Sequence, residues 1–107
     1  MRGFRVQPPT KESKMIDRSN ENKPYWNQSV GSDVYPYELI RKIGKTQFEL
    51  RPMDYWHGDD GWHFVSNTDR RTIRVSRRKD GAYREVGDKY SYFVPSGEPR
   101  HYWDPHF

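Results

Sequence analysis

Ala82 is the only alanine, and Leu39 and Leu50 are the only leucines, among 107 residues. These are the best apolar helix formers, so a helical bundle would lack the residues from which its buried stripes are made. Leu, Ile, Val and Phe together stay below the roughly 20% under which highly charged chains remain disordered. Net charge is only +4, however, and 8 Tyr, 5 Phe and 4 Trp replace the missing aliphatic area. One buried aromatic removes ~150–250 Å² from water, so a few suffice for a small core. Aromatic and β-branched residues also fit a pleated, half-buried surface. The chain therefore reads as one mainly β domain, with a core too small for a deep enzyme-style pocket.

The sequence contains no cysteine, which excludes disulfides, thiolate nucleophiles and sulfur-ligated zinc and favours a reducing compartment. No apolar run approaches the ~18 residues needed to span a membrane, and the segment from Met1 to Pro9 has no signal-like apolar stretch. A cytoplasmic location with no membrane partner is expected. Asn27-Gln28-Ser29 matches a glycosylation sequon and is read as chance.

Two regions differ in composition. Residues 1–27 carry Pro8-Pro9 and a polar stretch in which Arg2, Arg5, Lys11, Lys14, Arg18 and Lys23 outnumber Glu12, Asp17 and Glu21. They are expected to form a flexible basic arm, with a short helix over 10–18. Residues 28–107 show short strands between turn signals. Tyr35, Tyr37, Leu39 and Ile43 share one parity, Gly44-Lys45 turns the chain, and Phe48 and Leu50 share the inner face of the return strand, which Pro52 ends. A loop is expected over 54–61, then a strand from Trp62. Ile73 and Val75 point inward along 72–78, and Lys79-Asp80-Gly81 turns that strand into 82–86. Strands over 90–94 and 100–103 complete the set. Six or seven strands at such spacing predict a small antiparallel barrel or roll.

The chemistry-bearing features are mostly those of contact. Arg70, Arg71, Arg74, Arg77, Arg78, Lys79 and Arg84 crowd around one hairpin, with Trp56, Trp62 and Tyr83 as stacking candidates. Cations beside exposed rings are what phosphate contact with base stacking requires, although a solvated edge guarded by positive charge gives the same pattern. Tyr35, Tyr37, Tyr55, Tyr90, Tyr92 and Tyr102 bring the rings to more than so small a core can hide. His101, Asp104 and His106, with His57 or His63, could approach a metal, yet no ligand motif supports it and no metal or other cofactor is expected. Asp59-Asp60-Gly61 reads as a turn, and neither a nucleophile elbow nor a phosphate loop is present, so no catalytic residue is assigned.

Val30-Gly31, Ile43-Gly44-Lys45-Thr46, Arg78-Lys79-Asp80-Gly81-Ala82-Tyr83-Arg84 and the stretch from Gly97 to Phe107 resemble a group of small phage and prophage proteins. The resemblance spans about the last three quarters of the chain and implies an accessory protein acting inside a bacterium, with no particular reaction. The expectation is a non-enzymatic barrel of the Src-homology-3-like kind that binds nucleic acid through the basic hairpin. Its alternative is a phage protein that binds and inhibits a host protein. Open strand edges leave a homodimer possible.

Overall fold

A computed structural model describes residues 19–102. A short 3-10 turn, Ser19–Asn22, precedes nine strands: β1 (Tyr25–Val30), β2 (Asp33–Tyr35), β3 (Tyr37–Ile43), β4 (Gln47–Pro52), β5 (Asp54–Gly58), β6 (Gly61–Val65), β7 (Ile73–Arg77), β8 (Tyr83–Glu85) and β9 (Tyr92–Ser96). Hydrogen bonding runs β1-β3-β4-β7-β8-β9 and returns from β9 to β1, so six antiparallel strands close a barrel with β2 laid on β1. The small antiparallel barrel read from the composition is the fold. Closure removes the exposed edges that an open sheet of this size would carry.

The first hairpin is longer than the strand bounds suggest. Gln28 pairs with Tyr35 and Tyr25 with Glu38, one unbroken register across Pro36. Gly31, at φ 59°, makes the turn, and Pro36, which has no N–H to give a ladder, sits buried between β2 and β3. A bulge between Leu39 and Arg41 then changes parity on β3. Leu39 still faces Leu50, but beyond the bulge Lys42 opposes Phe48, and Ile43 opposes Gln47. The parity that Ile43 was expected to share with Leu39 thus passes to Lys42, which is exposed and whose ammonium lies 5.6 Å from the Phe48 ring centre, while Ile43 stays half-buried.

The expected loop over 54–61 is instead strand β5 and the turn of a second small sheet. Its Tyr-Trp-His run is strongly β-forming. Tyr55 pairs with Phe64 and His57 with Trp62, and Asp59-Asp60 form the tight turn before Gly61 at φ 116°. The expected strand over 100–103 shrinks to one backbone bridge, in which Val34 and Tyr102 exchange both hydrogen bonds at 2.7 and 2.9 Å. The helix expected over 10–18 lies outside the described residues, as do Asp104 and His106.

The core is small and ring-rich. Trp26, Phe48, Leu50 and Val75 are fully buried and Phe93 nearly so. Trp26 packs on Phe48 at 4.5 Å and edge-on to Tyr83 at 4.8 Å, while Tyr37 meets Phe93 edge-on at 5.1 Å. Such pairs add roughly 0.5–1.5 kcal/mol each beyond the area they bury.

Of the basic arm expected over 1–27, the part within the described residues, 19–27, belongs to the fold, and the rest lies outside the described residues. Trp26 is at the centre of the core, and the amide of buried Asn27 donates to the Glu98 carbonyl and accepts from the Arg100 N–H. Glu21, in the 3-10 turn, is 1% exposed. Its Oε2 accepts from Arg77 Nη1 and, at 2.8 Å, from the Tyr83 hydroxyl, while Oε1 accepts from Lys42 Nζ at 3.3 Å. Polar composition does not register this, because a carboxylate can be buried when cations and a phenol satisfy its oxygens.

Burial alone would raise the Glu21 pKa, but the bonds from Arg77, Tyr83 and Lys42 outweigh it and hold the group below its ordinary 4.5. The folded value is therefore below the unfolded one. The network stabilises the barrel above about pH 4.5, and that contribution is lost as pH falls through the folded pKa. Glu21→Gln should cost about 2 kcal/mol at neutral pH, because it leaves the Arg77 charge without its counter-ion. In urea titrations between roughly pH 5 and pH 3 the variant should lose stability less steeply than the native chain. Identical acid slopes would show that Glu21 is not the titrating group.

Candidate aromatic cleft and the basic hairpin

Strand parity divides the expected phosphate contacts. Arg77 shares the inward parity of Ile73 and Val75 and ends on Glu21, with a further bond from Nη2 to the Lys45 carbonyl at 3.2 Å. Arg78 donates from Nε to Ser76 Oγ and from Nη2 to the carbonyls of Glu85 and Asp88. Arg84 Nη1 donates to the carbonyls of Lys89 and Ser91, both at 3.0 Å. Arg70 Nη1 is 2.7 Å from Asp54 Oδ1. Arg74 faces outward beside Glu49, which also takes Arg41 Nε at 2.7 Å and the Thr72 hydroxyl at 2.7 Å. The Thr72 and Arg41 bonds hold the Glu49 carboxyl below its ordinary range. Arg71, Arg74 and Lys79 are exposed and make no side-chain hydrogen bond or ion pair among the described residues.

The stacking candidates are likewise dispersed. Tyr83 belongs to the core and to the Glu21 network. Trp56 and Trp62 lie on opposite faces of the β5–β6 hairpin, since Trp56 opposes His63 while Trp62 opposes His57. Trp56, 53% exposed, stacks on His63 at 5.1 Å with the rings 10° apart. His63 Nε2 in turn meets Asp60 Oδ1 at 2.6 Å, a contact that keeps the Asp60 carboxyl low.

Trp62 faces a different set of residues. The β5–β6 hairpin stands outside the barrel ring, and His101 bridges the two. Its ring stacks on Tyr55 at 4.1 Å, meets Trp62 edge-on at 4.6 Å and lies 5.5 Å from Tyr35 of β2. Tyr35, Tyr55, His57, Trp62, His101 and Tyr102 together line an open cleft of about 540 Å³, within the size range of ligand pockets. The base of the hairpin is fixed by Asp54, which accepts from Arg70 on one oxygen and from Asn67 Nδ2, at 2.7 Å, on the other. On the barrel side the Tyr35 hydroxyl donates to Asp33 Oδ2 at 3.3 Å. Burial, then the Asp33 charge, pushes the Tyr35 phenol above its ordinary 10.0, so it remains a neutral donor at physiological pH. His101 Nδ1 is buried without a hydrogen-bond partner among the described residues.

Of the expected contact residues, only Trp62 lines this cleft. Tyr35, Tyr55 and Tyr102 were legible as part of an excess of rings, and His57 and His101 as loose histidines. Their convergence depends on β2, the β5–β6 hairpin and the Val34–Tyr102 bridge, which are far apart in the chain. Among the described residues no three His, Asp or Glu side chains are grouped so as to hold a metal, and no helix is long and apolar enough to cross a membrane. Comparison with protein-family models, curated proteins and solved structures returns no match for this chain.

The two kinds of arginine should separate in urea unfolding. Arg77→Gln should cost about 2 kcal/mol by leaving buried Glu21 under-compensated, while Arg71→Gln and Lys79→Gln should stay within about 0.5 kcal/mol. Equal effects would contradict the inward placement of Arg77.

Proposed function

We propose that the chain is a non-enzymatic binding module that engages a segment of a partner protein through the cleft between the β5–β6 hairpin and the barrel. The observation that carries this reading is the meeting of four Tyr or Trp rings and two imidazoles in one open concavity. Large amphipathic rings give contact area at low cost in rotamer entropy and are the side chains on which binding energy concentrates. The carboxylates around the cleft are engaged in holding structure: Asp54 by Arg70 and Asn67, Asp60 by His63, and Asp33 by Tyr35. This supports contact over acid–base catalysis. The partner proposed is a protein of a bacterial host, which is what the sequence resemblance to phage and prophage proteins would imply.

Nucleic-acid binding remains the second reading, favoured by the exposed side chains of Arg71, Arg74 and Lys79. Most other cations of that hairpin are bound to carboxylates or carbonyls, which lowers the number of phosphates the surface could neutralise.

A pull-down from nuclease-treated bacterial lysate separates the two. Protein capture should survive the nuclease, fall about thirtyfold in Trp62→Ala, as for a hot-spot aromatic, and persist when Arg71, Arg74 and Lys79 are all changed to Gln. Capture abolished by nuclease, or lost only in the triple variant, would overturn the protein-partner reading in favour of nucleic acid.

A further inference from the structure

The charge around the cleft narrows what it can accept. Among the described residues, no Lys or Arg lines the cleft. Arg70, at the base of the hairpin, is paired with Asp54. A carboxylate acts on one of the lining residues: Asp33 accepts from the Tyr35 hydroxyl. Beside the two imidazoles, the wall is formed by Tyr55, Trp62 and Tyr102, whose ring faces carry negative quadrupole density. Trp62 and Tyr102 are 43% and 52% exposed, so rings of the wall are open to an incoming group. Among the described residues an anionic ligand would meet no lysine or arginine in this cleft. A hydrated cation entering it would exchange water for ring faces and oxygen acceptors.

We infer that the cleft receives the guanidinium of an arginine presented by the partner protein. This rests on the proposed role of the cleft as the contact site and specifies its ligand chemistry. A guanidinium is planar, weakly hydrated and stacks on aromatic faces, and its five N–H donors suit a rim of phenol and imidazole acceptors. His57 and His101 bring ring nitrogens to the same wall as the phenols of Tyr35 and Tyr102.

The test uses the full chain and three small probes: N-acetyl-arginine amide, the isosteric but neutral N-acetyl-citrulline amide, and inorganic phosphate. Each is titrated into the millimolar range while the Trp62 indole N–H and the His101 ring are followed by NMR. The arginine probe should shift both signals saturably, the citrulline probe should bind at least about fivefold more weakly, and phosphate should move neither. Trp62→Leu, a change at a half-exposed position, should abolish the arginine response. Equal responses to arginine and citrulline, a response to phosphate alone, or no saturable shift with arginine would each overturn the inference. Those outcomes leave the cleft itself to be judged separately by the effect of Trp62→Ala on protein capture.

Discussion

Closure of the barrel depends on β1 being held from both sides, by β3 and by β9, over the indole of Trp26. That ring is fully buried against Phe48 and Tyr83, so strands from the start, middle and end of the chain meet on one side chain. Few aliphatic residues are available to spread this burden. The loss of one large ring from a core of five fully or nearly fully buried side chains would remove a correspondingly large share of the area that opposes chain entropy. The same closure brings Tyr83 and Arg77 to the barrel end where Glu21 sits, which makes the carboxylate network a consequence of the packing.

That network also changes the meaning of the positive charge. In one dimension the bases from Arg70 to Arg84 form a block; in three, the alternation of strand faces assigns them to different tasks. Arg77 neutralises a buried acid, Arg78 and Arg84 satisfy carbonyls around the β8–β9 connection, and Arg70 fixes the foot of a hairpin. Cations so engaged give up less to a phosphate ligand, because they would have to break existing charge-assisted bonds to do so. The cleft arises by the reverse process. The β5–β6 hairpin lies outside the ring, and a ring-walled concavity remains where it leans on His101.

Much of the fold was legible because strand parity and turn chemistry are local. Phe48 with Leu50, Ile73 with Val75, and the Lys79-Asp80-Gly81 turn occupy the places their spacing implied. Ile43 keeps partial burial but not the register of Leu39, because a bulge is a one-residue insertion that leaves no mark in a hydrophobic pattern. Residues 19–27 read as part of an arm for a related reason: a buried Glu21 looks solvated until the partners that satisfy it, 56 and 62 residues away, are in view. The β5 strand was missed because its Asp and Gly neighbours advertise a turn more strongly than Tyr-Trp-His advertises a strand.

By itself, the sequence determined the class of structure. A chain with one alanine, two leucines and an abundance of rings and β-branched residues can bury enough area as a small closed sheet and too little as a bundle. It also determined that there would be more aromatic surface than the interior could hold. Which rings were left over, and that they converge on His101, was decided only by the tertiary structure. The reason is geometric: the cleft joins residues 35, 55, 57, 62, 101 and 102 through strand pairings of large sequence separation, and no local pattern encodes which of many possible long-range pairings will close.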